Sequence, residues 1–261
     1  MNAISRAAVA ALLLALIAGA AKQASEARAT GAAPASSGIA LVELFTSEGC
    51  SSCPPADALL GRIVHDAERS GRHVFGLSLH VDYWDQLGWR DRYSSAAYTR
   101  RQSQYARRFG LKSIYTPEVV VNGDGECVGS NAGAVQAQID RALARASEVL
   151  PQLSVTGTGP ELRVRWNVPR FPEGATLNVA WVRSRAVSSP NAGENGGQKL
   201  EHVNVVRDLQ TVELGHGASD AIVLHRPEAE DGQVIAWVQA ANLGSVLGAA
   251  AVTVRAHAPA P

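Results

Sequence analysis

The hydrophobic pattern of the chain changes period at Pro151, and that change restricts the available folds more than any other feature of the sequence. Before Pro151, short apolar runs alternate with segments whose apolar residues recur every three to four positions. Ile39–Phe45 is a nearly continuous apolar run with Glu43 inside it, the pattern of a strand buried on both faces. Ala56, Leu59, Leu60, Ile63, Val64 and Ala67 then fall on one face of a helix that ends near Ser70 and Gly71. His73–Val81 reads as a second strand, and the helix between two parallel strands makes a right-handed crossover. A helix is predicted from about Ser94 to the stop at Gly110, with Tyr98, Tyr105 and Phe109 on its buried side. A strand over Glu118–Val121, a Gly-rich turn, a short strand through Cys127 and a helix carrying Val135, Ile139 and Leu143 complete this half. Past Pro151, stretches such as "ELRVRWNV", "TLNVAWVRSRAV" and "VLGAAAVTVRA" alternate, as in an all-β module of about six or seven strands. Ser188–Gln198, "SSPNAGENGGQ", reads as a flexible hairpin loop within it. The expected architecture is an α/β domain over 39–150 followed by an all-β, sandwich-like domain over 151–261.

The first residues carry a different signal. Arg6 precedes the apolar or small run Ala7–Ala21, and small-residue cleavage options follow at "AGA" and "ARA". This reads as an export signal over 1–29, cut after Ala29, with a disordered linker over 30–38. The run is shorter than the roughly 20 residues a membrane span needs, so no span is expected once the signal is removed. Lys plus Arg and Asp plus Glu both number 24, which leaves no global field to draw the chain to nucleic acid. The expected location is periplasmic or secreted, where disulfides form and persist.

Cys50 and Cys53 stand in "LVELFTSEGCSSCPPADALLGRIV", between the first strand and the first helix. Three readings are open: a redox pair, a metal site, or a structural staple. The staple has the least to offer, because so small a loop adds little stability and a chain of this length buries a core without it. For exchange chemistry the attacking group is the thiolate, which has to be both stabilised and reachable. Cys50 lies just ahead of a helix beginning near Cys53 or Pro54, where the helix dipole favours negative charge. Such motifs lower a cysteine pKa from about 8.5 to roughly 3.5–7.5. Cys50 is therefore the candidate nucleophile and Cys53 the resolving thiol.

The order of strand, CxxC at a helix start, strand, helix, Thr-Pro, hairpin and helix resembles a thioredoxin fold over about Ile39–Ala146. More closely, "VELFTSEGCSSCPPAD", "LHVDYWDQLGW", "YTPEVVVNG" and "HVNVVRDL" resemble the secreted bacterial family catalogued as domain of unknown function 1223. The thioredoxin resemblance implies that Thr116–Pro117 is a cis-proline site lying against the CxxC, with Thr116 presenting backbone to a bound extended peptide. It also implies that Glu43 is a buried acid beneath the resolving cysteine, able to shuttle a proton. Ser51 and Ser52 between the cysteines match neither the reducing nor the strongly oxidising members.

Other residues keep two readings each. His80 ends the second strand on the side where Cys50 arrives, so Cys50, Cys53 and His80 form an alternative copper or zinc set; otherwise His80 makes a local hydrogen bond. Tyr83 and Trp84, with Trp89, either wall a peptide groove or form the core under a long loop. Arg100, Arg101, Arg107 and Arg108 read as a solvated helix face. Cys127 is a small buried residue, or else it forms a regulatory disulfide or pairs with a partner protein. His65, His73, His202, His216, His225 and His257 lack metal-like local spacing. The leading expectation is an exported thiol–disulfide oxidoreductase without a cofactor, acting on protein thiols and disulfides or with a periplasmic redox partner. The alternatives are a copper-binding carrier and a non-catalytic binding or scaffold protein.

Overall fold

The computed structural model describes residues 38–157, 159–215, 219–226 and 230–255. The segment read as an export signal, nearly all of the linker, His216 and His257 lie outside the described residues. The described elements run β1 (Ala40–Thr46), α1 (Pro54–Ser70), β2 (Val74–His80), a 3-10 turn (Asp85–Leu87), α2 (Ala96–Phe109), β3 (Glu118–Val121), β4 (Gly125–Val128) and α3 (Ala132–Leu143). They continue as β5 (Gln152–Thr156), β6 (Glu161–Asn167), β7 (Thr176–Ser188), β8 (Leu200–Glu213), β9 (Ser219–His225), β10 (Gly232–Gln239) and β11 (Val246–Val254).

The helices form where local chemistry allows. Pro54 and Pro55 open α1, where a missing N–H costs nothing, and Gly71 closes it in the left-handed conformation at φ 67°. Ser95 caps α2 by accepting from Ala97 N, and Asn131 caps α3 by accepting from Ala134 N. Among the described residues no helix is long and apolar enough to cross a membrane.

The tertiary arrangement corrects the expected fold class. Instead of an α/β thioredoxin-like domain followed by a separate all-β domain, the chain is mostly β. It builds one eight-stranded mixed sheet in the order β11-β10-β7-β8-β2-β1-β3-β4, and a three-stranded sheet in the order β5-β6-β9. The two halves meet at β2 and β8, which pair in parallel through Ser78 and Val205, and Asn204 Nδ2 donates to Gly76 O at 3.0 Å. Alternation along each strand was legible, but which distant strand would cover the edge of β2 was not, because local periodicity carries no pairing information.

Side-chain alternation sorts the layers. Ala40, Val42 and Leu44 face Ala56 and Leu60 of α1 and Val135 and Ile139 of α3. Farther along the same face of the sheet, Leu177, Val179 and Trp181 of β7 pack with Leu162, Val164 and Trp166 of the small sheet. The opposite face carries α2, in a core that runs from Leu41 and Phe45 through Leu77 and Leu79 to Val182 and Trp237.

Arg101 of α2 is central to that second core. Read from sequence as part of a solvated face, it is buried: its Nε donates to Glu43 Oε2 at 2.5 Å and its Nη2 to Glu43 Oε1, Tyr105 Oη and Gln239 Oε1 at 3.0–3.1 Å. The guanidinium also lies 5.4 Å from the Trp237 ring centroid. One side chain thus ties β1 of the first half to β10 of the second. Replacing Arg101 with methionine would take from the buried Glu43 carboxyl its cationic partner and leave it the Tyr105 hydroxyl. Urea denaturation should then show a loss of about 3–5 kcal/mol, and a loss under about 1 kcal/mol would mean that the pair does not hold the two halves together.

Candidate functional site

β1 delivers the chain to the site at the carboxyl end of the sheet. Cys50 N donates to Ser47 O, Cys53 N donates to Cys50 O, and Ala56 and Asp57 both donate to Cys53 O, so the loop winds directly into α1. Cys50 and Cys53 are joined in a disulfide. Gly49 lets Trp84 approach closely, since a Cβ on it would stand 3.0 Å from Trp84 Cβ.

Both cysteines are fully buried, although Ser51 and Ser52 between them are exposed. The cover comes from the loop joining β7 to β8, read from sequence as a flexible hairpin. Glu194 Oε2 accepts from Ser51 N at 3.0 Å and from Ser51 Oγ at 2.6 Å. The buried Asn195 donates from Nδ2 to Glu48 O at 2.8 Å and to Cys50 O at 3.0 Å. The two bonds from Ser51 hold the Glu194 carboxyl below its ordinary range. Composition shows a Gly-rich turn here; only the fold shows a strap lying on the disulfide.

The Thr116–Pro117 peptide bond is cis. A Cβ on Gly129 would stand 3.2 Å from Pro117 Cβ and 3.3 Å from Ala56 Cβ, which puts Pro117 beside the first turn of α1. Trp84 Nε1 donates to Thr116 Oγ1 at 2.9 Å, so Trp84 bridges the residue before the proline and the backbone before Cys50. Tyr83, partly buried, lies beside it with ring centroids 6.3 Å apart. Cys50, Cys53, Pro117, Thr116, Trp84 and Tyr83 thus gather in one region.

Glu43 does not join them. It shares the α2 face of β1 with Leu41 and Phe45, where Arg101 and Tyr105 hold its carboxylate, whereas α1 packs on the other face. Glu118, directly after Pro117, is a second buried acid on the α2 side, accepting from Gln102 Nε2 at 2.7 Å. Burial pushes its pKa up to about 7; the charges of Glu126 and Glu43 add to the rise and the Gln102 hydrogen bond opposes it. Cys127 is a half-buried free thiol whose pKa is pushed up to about 11, by burial first and by Glu126 second, which suppresses its thiolate at neutral pH.

The acids on the α1 face are others. Asp57 follows Cys53 by one helical turn and accepts from Thr46 Oγ1 at 3.2 Å. His202 of β8 stands between Asp57 and Glu48, with Nδ1 3.7 Å from Asp57 Oδ1 and Nε2 3.7 Å from Glu48 Oε1. The His80 ring centroid lies 4.8 Å from that of His202, and His80 Nδ1 is 2.6 Å from Asp91 Oδ2. Trp89 Nε1 donates to Glu48 Oε2 at 2.6 Å. Glu48, Asp57, His80, Asp91 and His202 are all buried. Sequence reasoning missed Glu48 and Asp57, though both flank the CxxC, and had no signal at all for Asn195 or His202.

Burial alone would lower the His80 pKa, but the charge and hydrogen bond of Asp91, with Asp57 and Glu48 behind them, hold it above its ordinary 6.5. Burial would raise that of Asp91, and His80 with the backbone donors of Glu48 and Tyr93 keeps it below 3.8. The alternative metal set is not assembled: the Cys50 and Cys53 sulfurs are bonded to each other, and His80 Nδ1 meets Asp91. Among the described residues no three His, Cys, Asp or Glu side chains are grouped as metal ligands.

The family described as "Protein of unknown function (DUF1223)" matches residues 41–239, and the chain belongs to it. None of the curated proteins compared with it matches. It is similar to the crystal structure of protein AGR_C_4864 from Agrobacterium tumefaciens, with 26% identity over 84% of this chain and 96% of that one, at a TM-score of 0.62. HBP35 of Porphyromonas gingivalis shares the fold at a TM-score of 0.57, with 14% identity over 84% of this chain and 76% of that one.

Two measurements test this geometry. The His80 contribution to stability is complete below its unfolded value of 6.5 and is lost as pH rises through the higher folded value. The Asp91 contribution is complete above 3.8 and is lost as pH falls through the lower folded one. Urea midpoints should therefore decline on the alkaline side of pH 6.5, and His80→Gln should flatten that decline. Changing Glu194 and Asn195 together to alanine should let dithiothreitol reduce the disulfide at least about tenfold faster. Equal rates would mean that the strap is not what shields it.

Proposed function

We propose that this DUF1223 member is an exported, periplasmic or secreted thiol–disulfide oxidoreductase that acts on protein disulfides through Cys50 and Cys53. The observation that carries the reading is the Cys50–Cys53 disulfide at the start of α1, with Pro117 beside that first turn. In the reduced form Cys50 is the attacking thiolate. Pro54 and Pro55 remove two backbone donors from the helix end, so the thiolate is held by the helix dipole and by Ser52 Oγ, which stands 3.4 Å from Cys50 Sγ.

Cys50 attacks one sulfur of a substrate disulfide, and the other sulfur leaves as a thiolate. Cys53 then attacks the Cys50 sulfur of the mixed disulfide, which closes the Cys50–Cys53 bond and frees the reduced substrate. Run backwards, the same two steps deliver a disulfide to a reduced protein. Because Cys50 is buried beneath Glu194 and Asn195, a substrate reaches it only when the strap withdraws. An extended segment then lies along the Thr116 backbone, with Trp84 and Tyr83 as the wall.

The test is insulin reduction in the presence of dithiothreitol by wild type, Cys50→Ser, Cys53→Ser and the double variant. Wild type should outpace the double variant by at least about a hundredfold, and Cys53→Ser should accumulate mixed disulfides on Cys50. A wild type no faster than the double variant would overturn the proposal.

A further inference from the structure

The resolving step leaves a chemical demand that Glu43 cannot meet, since Arg101 and Tyr105 hold it on the far face of the sheet. Cys53 is fully buried and has to lose a proton before it can attack. Resting on the oxidoreductase reading, we propose that Asp57 takes that proton from Cys53 and that His202 passes it to solvent, the two acting as the proton relay of the pair.

Three observations carry this assignment. Asp57 stands at i+4 from Cys53 on the buried side of α1, and its backbone N donates to Cys53 O at 3.1 Å. Its Oδ1 is buried without a hydrogen-bond partner, as are both ring nitrogens of His202; Nδ1 faces Asp57 Oδ1 at 3.7 Å, and Nε2 faces the equally unpaired Glu48 Oε1 at 3.7 Å. Leaving buried polar atoms unpaired is costly, so a set aimed at one another is an expensive way to fill a core. Finally, Asp57 and His202 both line a cavity of about 670 Å³ between α1 and β8, which gives the pair an outlet.

Mixed-disulfide resolution then balances. The Cys53 S–H proton moves to the Asp57 carboxylate and on through His202. The Cys53 sulfur bonds to the Cys50 sulfur, the bond from Cys50 to the substrate sulfur breaks, and its electron pair leaves on the substrate thiolate. Reduction of the pair returns the proton by the same route.

Charged and titratable groups face His202 from every element packed against it. Asp57 and Glu48 flank it, His80 with Asp91 behind it lies on the β2 side, and the Tyr93 ring is 6.2 Å away under Arg92 and Arg207. On the cavity side Arg62 and His65 come from α1, with Arg185, Lys199 and Glu201 from β7, β8 and the turn between them.

The experiment uses the chain carrying Cys127→Ser, so that only the pair reacts. The reduced protein is mixed with dithionitrobenzoate across a pH series. The first chromophoric thiolate reports formation of the aryl disulfide on Cys50, and the second reports the attack of Cys53. Asp57→Asn and His202→Gln should slow the second release at least about tenfold near pH 7, and shift its pH profile towards that of an unassisted thiol. In protein with Asp57 and His202 intact, the His202 ring resonances should titrate at a different pH in the dithiol form than in the disulfide form. Unchanged second-phase profiles in folded variants, or a His202 titration identical in both forms, would overturn the relay while leaving Cys53 as the resolving thiol. A parent protein with no second release would instead overturn the oxidoreductase reading, and the relay with it.

Discussion

Parallel pairing of β2 with β8 is the constraint on which the rest of the molecule depends. The contact is short, a single register pair between Ser78 and Val205 backed by Asn204 on the Gly76 carbonyl. Its consequences are large because it turns two sheets into one. α1 then packs against β8 as well as against β1 and β2, which carries His202 to Asp57 and Glu48. The hairpin loop ahead of β8 is carried at the same time to the Cys50–Cys53 loop, where Glu194 and Asn195 take up its free backbone groups. A site that looked like the property of the first half is therefore built by both.

The buried cluster around Glu43 and the one around His202 differ in kind, although Glu118 Oε1 and Gln102 Oε1 on the α2 side are unpaired as well. On the α2 face Arg101, Glu43, Tyr105 and Gln239 satisfy one another, an arrangement that repays desolvation only when every partner is in place. On the α1 face the set is incomplete: Glu48, Asp57, His80 and His202 each keep at least one buried atom unpaired. A core built for stability alone would put apolar groups there. The incomplete set lies beside the only disulfide among the described residues, and the complete one lies across the sheet from it.

Burial of the disulfide changes what the CxxC motif means here. Thiolate chemistry needs an accessible sulfur, and the strap removes that access while leaving Ser51 and Ser52 at the surface. The strap is held by a few hydrogen bonds, two of them to an exposed carboxylate, and such contacts belong to the part of a structure that opens most readily. The segment that ties down the backbone of the pair lies about 140 residues away along the chain.

By itself the sequence determined the local elements. The apolar run of β1, the helical repeat after Cys53, the stops at Gly71 and Gly110 and the start of β3 at Glu118 all stand where hydrophobic period and capping chemistry put them. It also determined that the two cysteines are close enough to pair and that they precede a helix. Only the tertiary structure decided which strand covers the edge of β2, that Arg101 is buried, that Glu43 faces α2, and that His202 and Asn195 complete the site. The reason is physical: capping, turns and amphipathic period act over a few residues and are written in neighbouring side chains. Strand pairing, burial of charge and convergence of distant side chains depend on which surfaces meet, and hydrophobic pattern alone does not record that choice.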